Sequence, residues 1–87
     1  LSNEVILQNR TVQLTPTESK LLYVLMKNAE RTVESEDILK QVWGEDYLDN
    51  DLLLISYIRR LRNKLNDNPP QLILTERGQG YRFVSPT

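Results

Sequence analysis

The stretch from Asp51 to Leu65 limits the possible folds of this chain more than any other. Leu54, Ile58, Leu61 and Leu65 return at intervals of three or four residues. At about 100° per residue they fall on one narrow stripe. The spacing predicts a helix that buries this stripe and turns Leu52, Ser56, Arg59, Arg60 and Asn63 the other way. Arg62 and Lys64 flank the seam on either side. An 87-residue chain is one small domain. Its remaining elements must therefore supply a single core that covers this seam.

Composition removes whole classes of function. The chain has no cysteine, so it has neither a disulfide framework nor a thiolate zinc site. It has no histidine, which is the commonest metal ligand and general base. No nucleophile elbow surrounds any serine, and Gly78-Gln79-Gly80 is too short to cradle a nucleotide. Asp46, Asp49, Asn50 and Asp51 lack the glycine and distal glutamate of a calcium loop. The expectation is a protein that is not an enzyme and takes no metal, cofactor or small-molecule substrate. No apolar run reaches the roughly 18 residues of a membrane span. The first residue is Leu1 rather than Met, and no signal-peptide pattern follows. The chain reads as a module, residues 1–87, cut from a longer cytoplasmic protein.

The formal charge is −1, which taken alone argues against a nucleic-acid partner. Its distribution argues the other way. Residues 1–50 carry five cations against nine acids, and residues 51–87 carry six cations against three acids. Five of those six cations are arginines, the side chain suited to phosphate and guanine.

The other elements follow from local signals. Glu4–Gln8 and Thr11–Leu14 are β-prone runs that form a hairpin around Asn9-Arg10. Thr15-Pro16-Thr17-Glu18 combines a cap, a first-turn proline and a capping-box glutamate. The helix it starts runs to about Asn28 and buries Leu21, Leu22, Leu25 and Met26. Ser35 is the candidate cap of a second helix, with Ile38, Leu39, Val42 and Trp43 as its stripe. The acids around Ser35 suit the positive end of that helix dipole, and Gly44 ends it in a left-handed conformation. Asp49 or Asn50 caps the third helix. After a turn at 66–70, Leu72–Thr75 and Tyr81–Val84 form a closing hairpin whose glycines allow a tight tip displaying Arg77. Two strands, three helices and a hairpin define an α+β winged helix-turn-helix, with short N-terminal antiparallel strands and a C-terminal β-hairpin wing.

Four segments in that order carry a family resemblance: Leu14-Thr15-Pro16-Thr17-Glu18, Ile38-Leu39 with Val42-Trp43-Gly44, Ile58-Arg59-Arg60-Leu61-Arg62-Asn63-Lys64-Leu65, and Arg77-Gly78-Gln79-Gly80-Tyr81-Arg82-Phe83. Over residues 4–84 the chain resembles the OmpR/PhoB-type DNA-binding domain of bacterial two-component response regulators. The resemblance implies a domain that follows a phosphorylated receiver domain and binds direct-repeat promoter DNA as a tandem dimer, recruiting RNA polymerase. It further implies that the third helix enters the major groove, with Arg60, Ser56 and Leu53 at base-contacting positions. Arg59, Tyr57 and Arg62 then match phosphate-contacting positions, Arg77 matches the minor-groove arginine of the wing, and Glu45, Asp46 and Tyr47 fall in the polymerase-contact loop.

The start of the third helix departs from the family. Leu52-Leu53-Leu54-Ile55-Ser56-Tyr57 stands where the family carries a cation, a hydroxyl, an acid and a histidine. Leu52, Leu53 and Ile55 lie off the core stripe. They suit thymine methyls, an apolar contact with another domain or protomer, or a protein-interaction role in which DNA binding is weakened. Glu76 replaces an apolar residue beside Arg77 and places a carboxylate where phosphate would be repelled.

Overall fold

The computed structural model describes residues 3–85. The ends of the expected 1–87 domain, residues 1–2 and 86–87, lie outside the described residues. Strands β1 (Glu4–Leu7) and β2 (Arg10–Gln13) pair antiparallel, with Glu4 opposite Gln13 and Leu7 opposite Arg10. Their two-residue link is Gln8-Asn9, one position earlier than the sequence predicts. Both residues have positive φ, +51° and +64°, the twist that a tight hairpin turn requires.

Helix α1 (Pro16–Lys27) starts as its sequence dictates. The Glu18 amide donates to Thr15 Oγ1 at 3.2 Å, and the Thr15 amide donates back to Glu18 Oε1 at 2.9 Å. Its buried face differs from expectation. Leu21, Leu22 and Leu25 are buried, but the fourth apolar position is Val24, and Met26 is 48% exposed. The α1 arc that packs on the other helices is rotated toward Val24, which leaves Met26 one step beyond its edge.

The sequence reading misses one strand. Residues Thr32–Glu34 form β3, too short to show an alternating pattern. It enters a three-stranded sheet with β4 (Ile73–Glu76) and β5 (Gly80–Phe83), in the order β3-β5-β4. Val33 and Thr75 both face Tyr81 across the sheet. The closing hairpin is therefore anchored to the chain between α1 and α2 (Ser35–Val42). Ser35 is the first residue of α2 and its side chain makes no capping bond; the cap is Glu34, the last residue of β3. With β3 running straight into the helix, the entry is fixed by sheet pairing, so a hydroxyl cap is not needed there. Ile38, Leu39 and Val42 are buried as expected, Trp43 is half-buried, and Gly44 closes the helix with φ +112°.

A single 3₁₀ turn (Glu45–Tyr47) leads to α3 (Asp51–Lys64), whose first turn is capped by the Asn50 side chain accepting from the Leu53 amide at 3.2 Å. Leu54, Ile58, Leu61 and Leu65 are 0–3% exposed, so the seam is the core of the molecule. They join Leu21, Leu25, Ile38, Leu39 and Ile73 in one cluster. After α3, Asp67 accepts from three backbone amides: Gln71 and Leu72 on Oδ1 at 2.8 Å each, and Ile73 on Oδ2 at 3.0 Å. This buried carboxylate turns the chain from α3 into β4.

Gly80 is where β3 meets β5 most closely. A Cβ there would sit 1.9 Å from the Val33 carbonyl oxygen, a contact that only backbone displacement could relieve. Gly80→Ala is expected to destabilise the domain by about 3 kcal/mol, the upper end of overpacking costs. Gly78→Ala faces open space but has φ +76°, so it is expected to cost only about 1 kcal/mol. Urea midpoints of the two variants check the ranking.

Candidate nucleic-acid interface

The outward ridge of α3 is built by exclusion. Once the seam at 54, 58, 61 and 65 is buried, helical geometry turns Leu52, Ser56, Arg59, Arg60 and Asn63 to solvent, and all five are exposed. Leu52 is 76% exposed and Ile55 42%. Leu53 is only half-buried on the flank of the helix, so the apolar atoms most open to a partner belong to Leu52 and Ile55. The sequence showed the Leu52–Ile55 run but not which of its members is most open.

Arg60 does not stand free. One guanidinium nitrogen lies 3.5 Å from Glu18 Oε2, although 53% of the Arg60 side chain is still exposed. The guanidinium also lies over the Tyr57 ring, 4.6 Å from its centroid, and that ring meets Trp43 edge-on at 5.1 Å and 67°. Tyr57 thus links Arg60 to the end of α2. Glu18 itself is fully buried, and its Oε1 also accepts from Lys64 Nζ at 2.6 Å. Its Oε2 has no hydrogen-bond partner. Burial pushes the Glu18 carboxyl up, but the Lys64 ammonium and the Thr15 amide more than offset this, and its pKa is held below the ordinary glutamate value. The sequence marked Glu18 as a cap. Its contacts across the core to α3 span 42 and 46 positions, which no local pattern reveals.

Arg62 ties α3 to the wing. Its Nε and Nη2 donate to the Ile73 carbonyl at 3.0 and 2.7 Å, and Nη2 also donates to Thr75 Oγ1 at 2.9 Å. The guanidinium lies 5.9 Å from the centroid of the Tyr81 ring. Burial pushes the Tyr81 phenol up, with Arg62 opposing and Asp51 adding to the shift. Three contacts therefore commit Arg62 to holding the wing against α3. The carboxylate of Glu76, expected to repel phosphate, accepts from Arg82 Nε at 2.7 Å and is neutralised within the wing. Arg77 follows it at the exposed turn. Among the described residues, no carboxylate lies within ion-pair distance of Arg59 or Arg77. The wing tip and the start of α3 share a cleft with the β3–α2 junction, lined by Ile55 and Gly78 and by four carboxylates, Glu34, Glu36, Asp51 and Glu76, which puts both elements on one side of the molecule.

Glu45, Asp46 and Tyr47 form the 3₁₀ turn and are all exposed, with Glu45 3.3 Å from Lys40 Nζ. No helix among the described residues is long and apolar enough to cross a membrane.

Two antiparallel strands, three helices and a sheet-anchored hairpin against the third helix define a winged helix. A family model described as "Transcriptional regulatory protein, C terminal" matches residues 9–83. The chain belongs to that family, the OmpR/PhoB type of DNA-binding domain in transcriptional response regulators. It is 43% identical over 82 residues to the transcriptional regulatory protein KdpE of Mycobacterium tuberculosis, covering 92% of this chain and 36% of that protein. The chain thus spans about a third of the length of the curated relatives it matches. The DNA-binding domain of Bacillus subtilis CssR superposes with TM-score 0.79 at 35% identity, covering 93% of this chain and 90% of that one. The Klebsiella pneumoniae RstA DNA-binding domain, solved in complex with its RstA box, superposes with TM-score 0.80 at 32% identity over 93% of this chain and 82% of that one.

A group whose pKa is lowered by folding stabilises the fold above its unfolded value and loses that contribution as pH falls through its native value. Glu18 is in that position. Wild-type stability is therefore expected to fall as pH drops below the ordinary glutamate range. In Glu18→Gln, which retains a capping-box acceptor, this part of the decline is expected to vanish. Urea titrations from neutral to acidic pH measure the difference.

Proposed function

We propose that this domain is the promoter-binding output module of a cytoplasmic two-component response regulator. One observation carries the reading: arginines 59 and 60 on the exposed ridge of α3, with Arg77 at the tip of a wing locked to that helix by Arg62. An exposed helix face carrying arginines suits insertion into a major groove. Arg60, with Ser56 one turn before it, reaches base edges, and Leu52 and Ile55 offer apolar atoms of the kind that meet thymine methyls. Arg59 neutralises phosphate, and a wing arginine suits a narrow minor groove of negative potential. Tyr57 and Leu53, at the flanks, lie where the DNA backbone would pass. Arg62 can add at most its remaining N–H donors to a phosphate.

In the whole protein a receiver domain would precede this module, and two protomers would sit in tandem on direct repeats. Glu45, Asp46 and Tyr47 would then meet RNA polymerase from the exposed 3₁₀ turn. The alternative of a protein-interaction winged helix rests on the net charge of −1 and on the Leu52–Ile55 run, of which Leu52 and Ile55 are exposed. Two exposed apolar side chains make too small a patch for a stable protein interface, and the likeness to DNA-binding domains does not favour it.

Binding to a duplex selected from a random library is expected to weaken with salt, with a log–log slope of about −3 to −5 for three to five neutralised phosphates. Arg60→Ala is expected to cost about 1–3 kcal/mol on that site and relax its preference, whereas Arg77→Ala should weaken selected and random duplexes more nearly alike. Fluorescence anisotropy at several salt concentrations measures both. Binding that is absent or independent of salt overturns the proposal. Alanine at Glu45, Asp46 and Tyr47 together is expected to leave DNA affinity unchanged and lower transcription in a reconstituted assay.

A further inference from the structure

We infer that Glu18, besides capping α1, is the positioning residue for the base-reading arginine: the charge on its buried Oε2 draws one nitrogen of the Arg60 guanidinium and leaves the rest of the fork free for a guanine. The inference rests on the proposed role of Arg60 and goes beyond it.

The carboxylate is fixed before DNA arrives. It is fully buried, and its Oε1 is held by the Thr15 amide at 2.9 Å and Lys64 Nζ at 2.6 Å. Its Oε2 is buried with no hydrogen-bond partner, and the charged group facing it is Arg60 at 3.5 Å. A buried carboxylate oxygen without a hydrogen bond is costly, and a guanidinium is the side chain best able to offset it. Charge attraction therefore draws one nitrogen of Arg60 toward α1, while its guanidinium also rests over the Tyr57 ring, which is backed by Trp43. An arginine held on two sides loses less rotamer freedom when it binds than one waving in solvent. A guanidinium has five N–H donors in a planar fork, so a charge contact of one nitrogen with Glu18 leaves donors for the N7 and O6 of guanine. That 53% of the side chain stays exposed leaves room for this second contact.

A positioning role and a structural one predict different results. Removing the charge also removes an anion close to the DNA, which by itself favours non-specific binding. Loss of positioning, by contrast, lowers only discrimination. The experiment uses Glu18→Gln, which keeps a capping-box acceptor, and confirms its folding by a melt. Affinities are measured for the duplex selected by the wild type, for the same duplex with each guanine replaced in turn by 7-deazaguanine, and for a random duplex. The guanine that Arg60 reads is the one at which 7-deazaguanine weakens the wild type but not Arg60→Ala.

At that guanine, Glu18→Gln is expected to reduce discrimination about 2- to 10-fold, the cost of ordering one long side chain. Affinity for the random duplex should not fall. In the Arg60→Ala background, Glu18→Gln should have no effect on discrimination. The inference is overturned if discrimination is unchanged, if selected and random affinities fall together, or if the effect persists without Arg60. If no guanine distinguishes the wild type from Arg60→Ala, the base-reading role of Arg60 fails, and the inference with it.

Discussion

A fully buried carboxylate must find its partners within the protein, and Glu18 finds them on two helices. Its Oε1 closes the first turn of α1 and holds Lys64 at the end of α3, and its Oε2 faces Arg60 from the same helix. One buried side chain thereby joins the start of α1 to the C-terminal half of α3. Apolar packing at Leu21, Leu25, Leu54, Ile58 and Leu61 supplies the driving force. Such packing tolerates small rotations; a paired charge in a dry setting tolerates them far less.

The wing depends on a second set of polar contacts of the same kind. Asp67 gathers three amides and turns the chain, Arg62 holds the Ile73 carbonyl and the Thr75 hydroxyl, and Gly80 lets β3 lie against β5. Helix and wing are therefore tied together through the strands as well as at the turn, and a wing tethered only at its turn would pay its ordering entropy on binding.

The charge pattern resolves along the same lines. In a chain with net charge −1, three of the acids are committed to the fold: Glu18 in the core, Glu76 against Arg82, and Asp67 in the turn. Glu76, which in the sequence looks like an obstacle to phosphate, is a partner of the wing's own arginine. Arg62 shows the reverse. In the sequence it is one more cation beside Arg59 and Arg60, yet its side chain is committed to the fold.

What could be read from the sequence alone was local or periodic. The Thr15–Glu18 cap, the 54-58-61-65 seam, the Asn50 cap and the tight closing hairpin each depend on residues a few positions apart, and each is present in the structure. The family motifs sit on those same elements, so the class of domain was legible as well. Tertiary structure decided the rest. Strand β3 exists only because β5 lies beside it, and Val24 replaces Met26 because of how α1 rolls against its neighbours. Leu52 rather than Leu53 is the leucine most open to solvent, and the partners of Glu18 and Arg62 are fixed by contacts 11 to 46 residues away. Capping and periodicity act within a turn or two of chain and so are written in short words. Which charge meets which depends on helices crossing at a given angle, and that angle is set by the packed core as a whole.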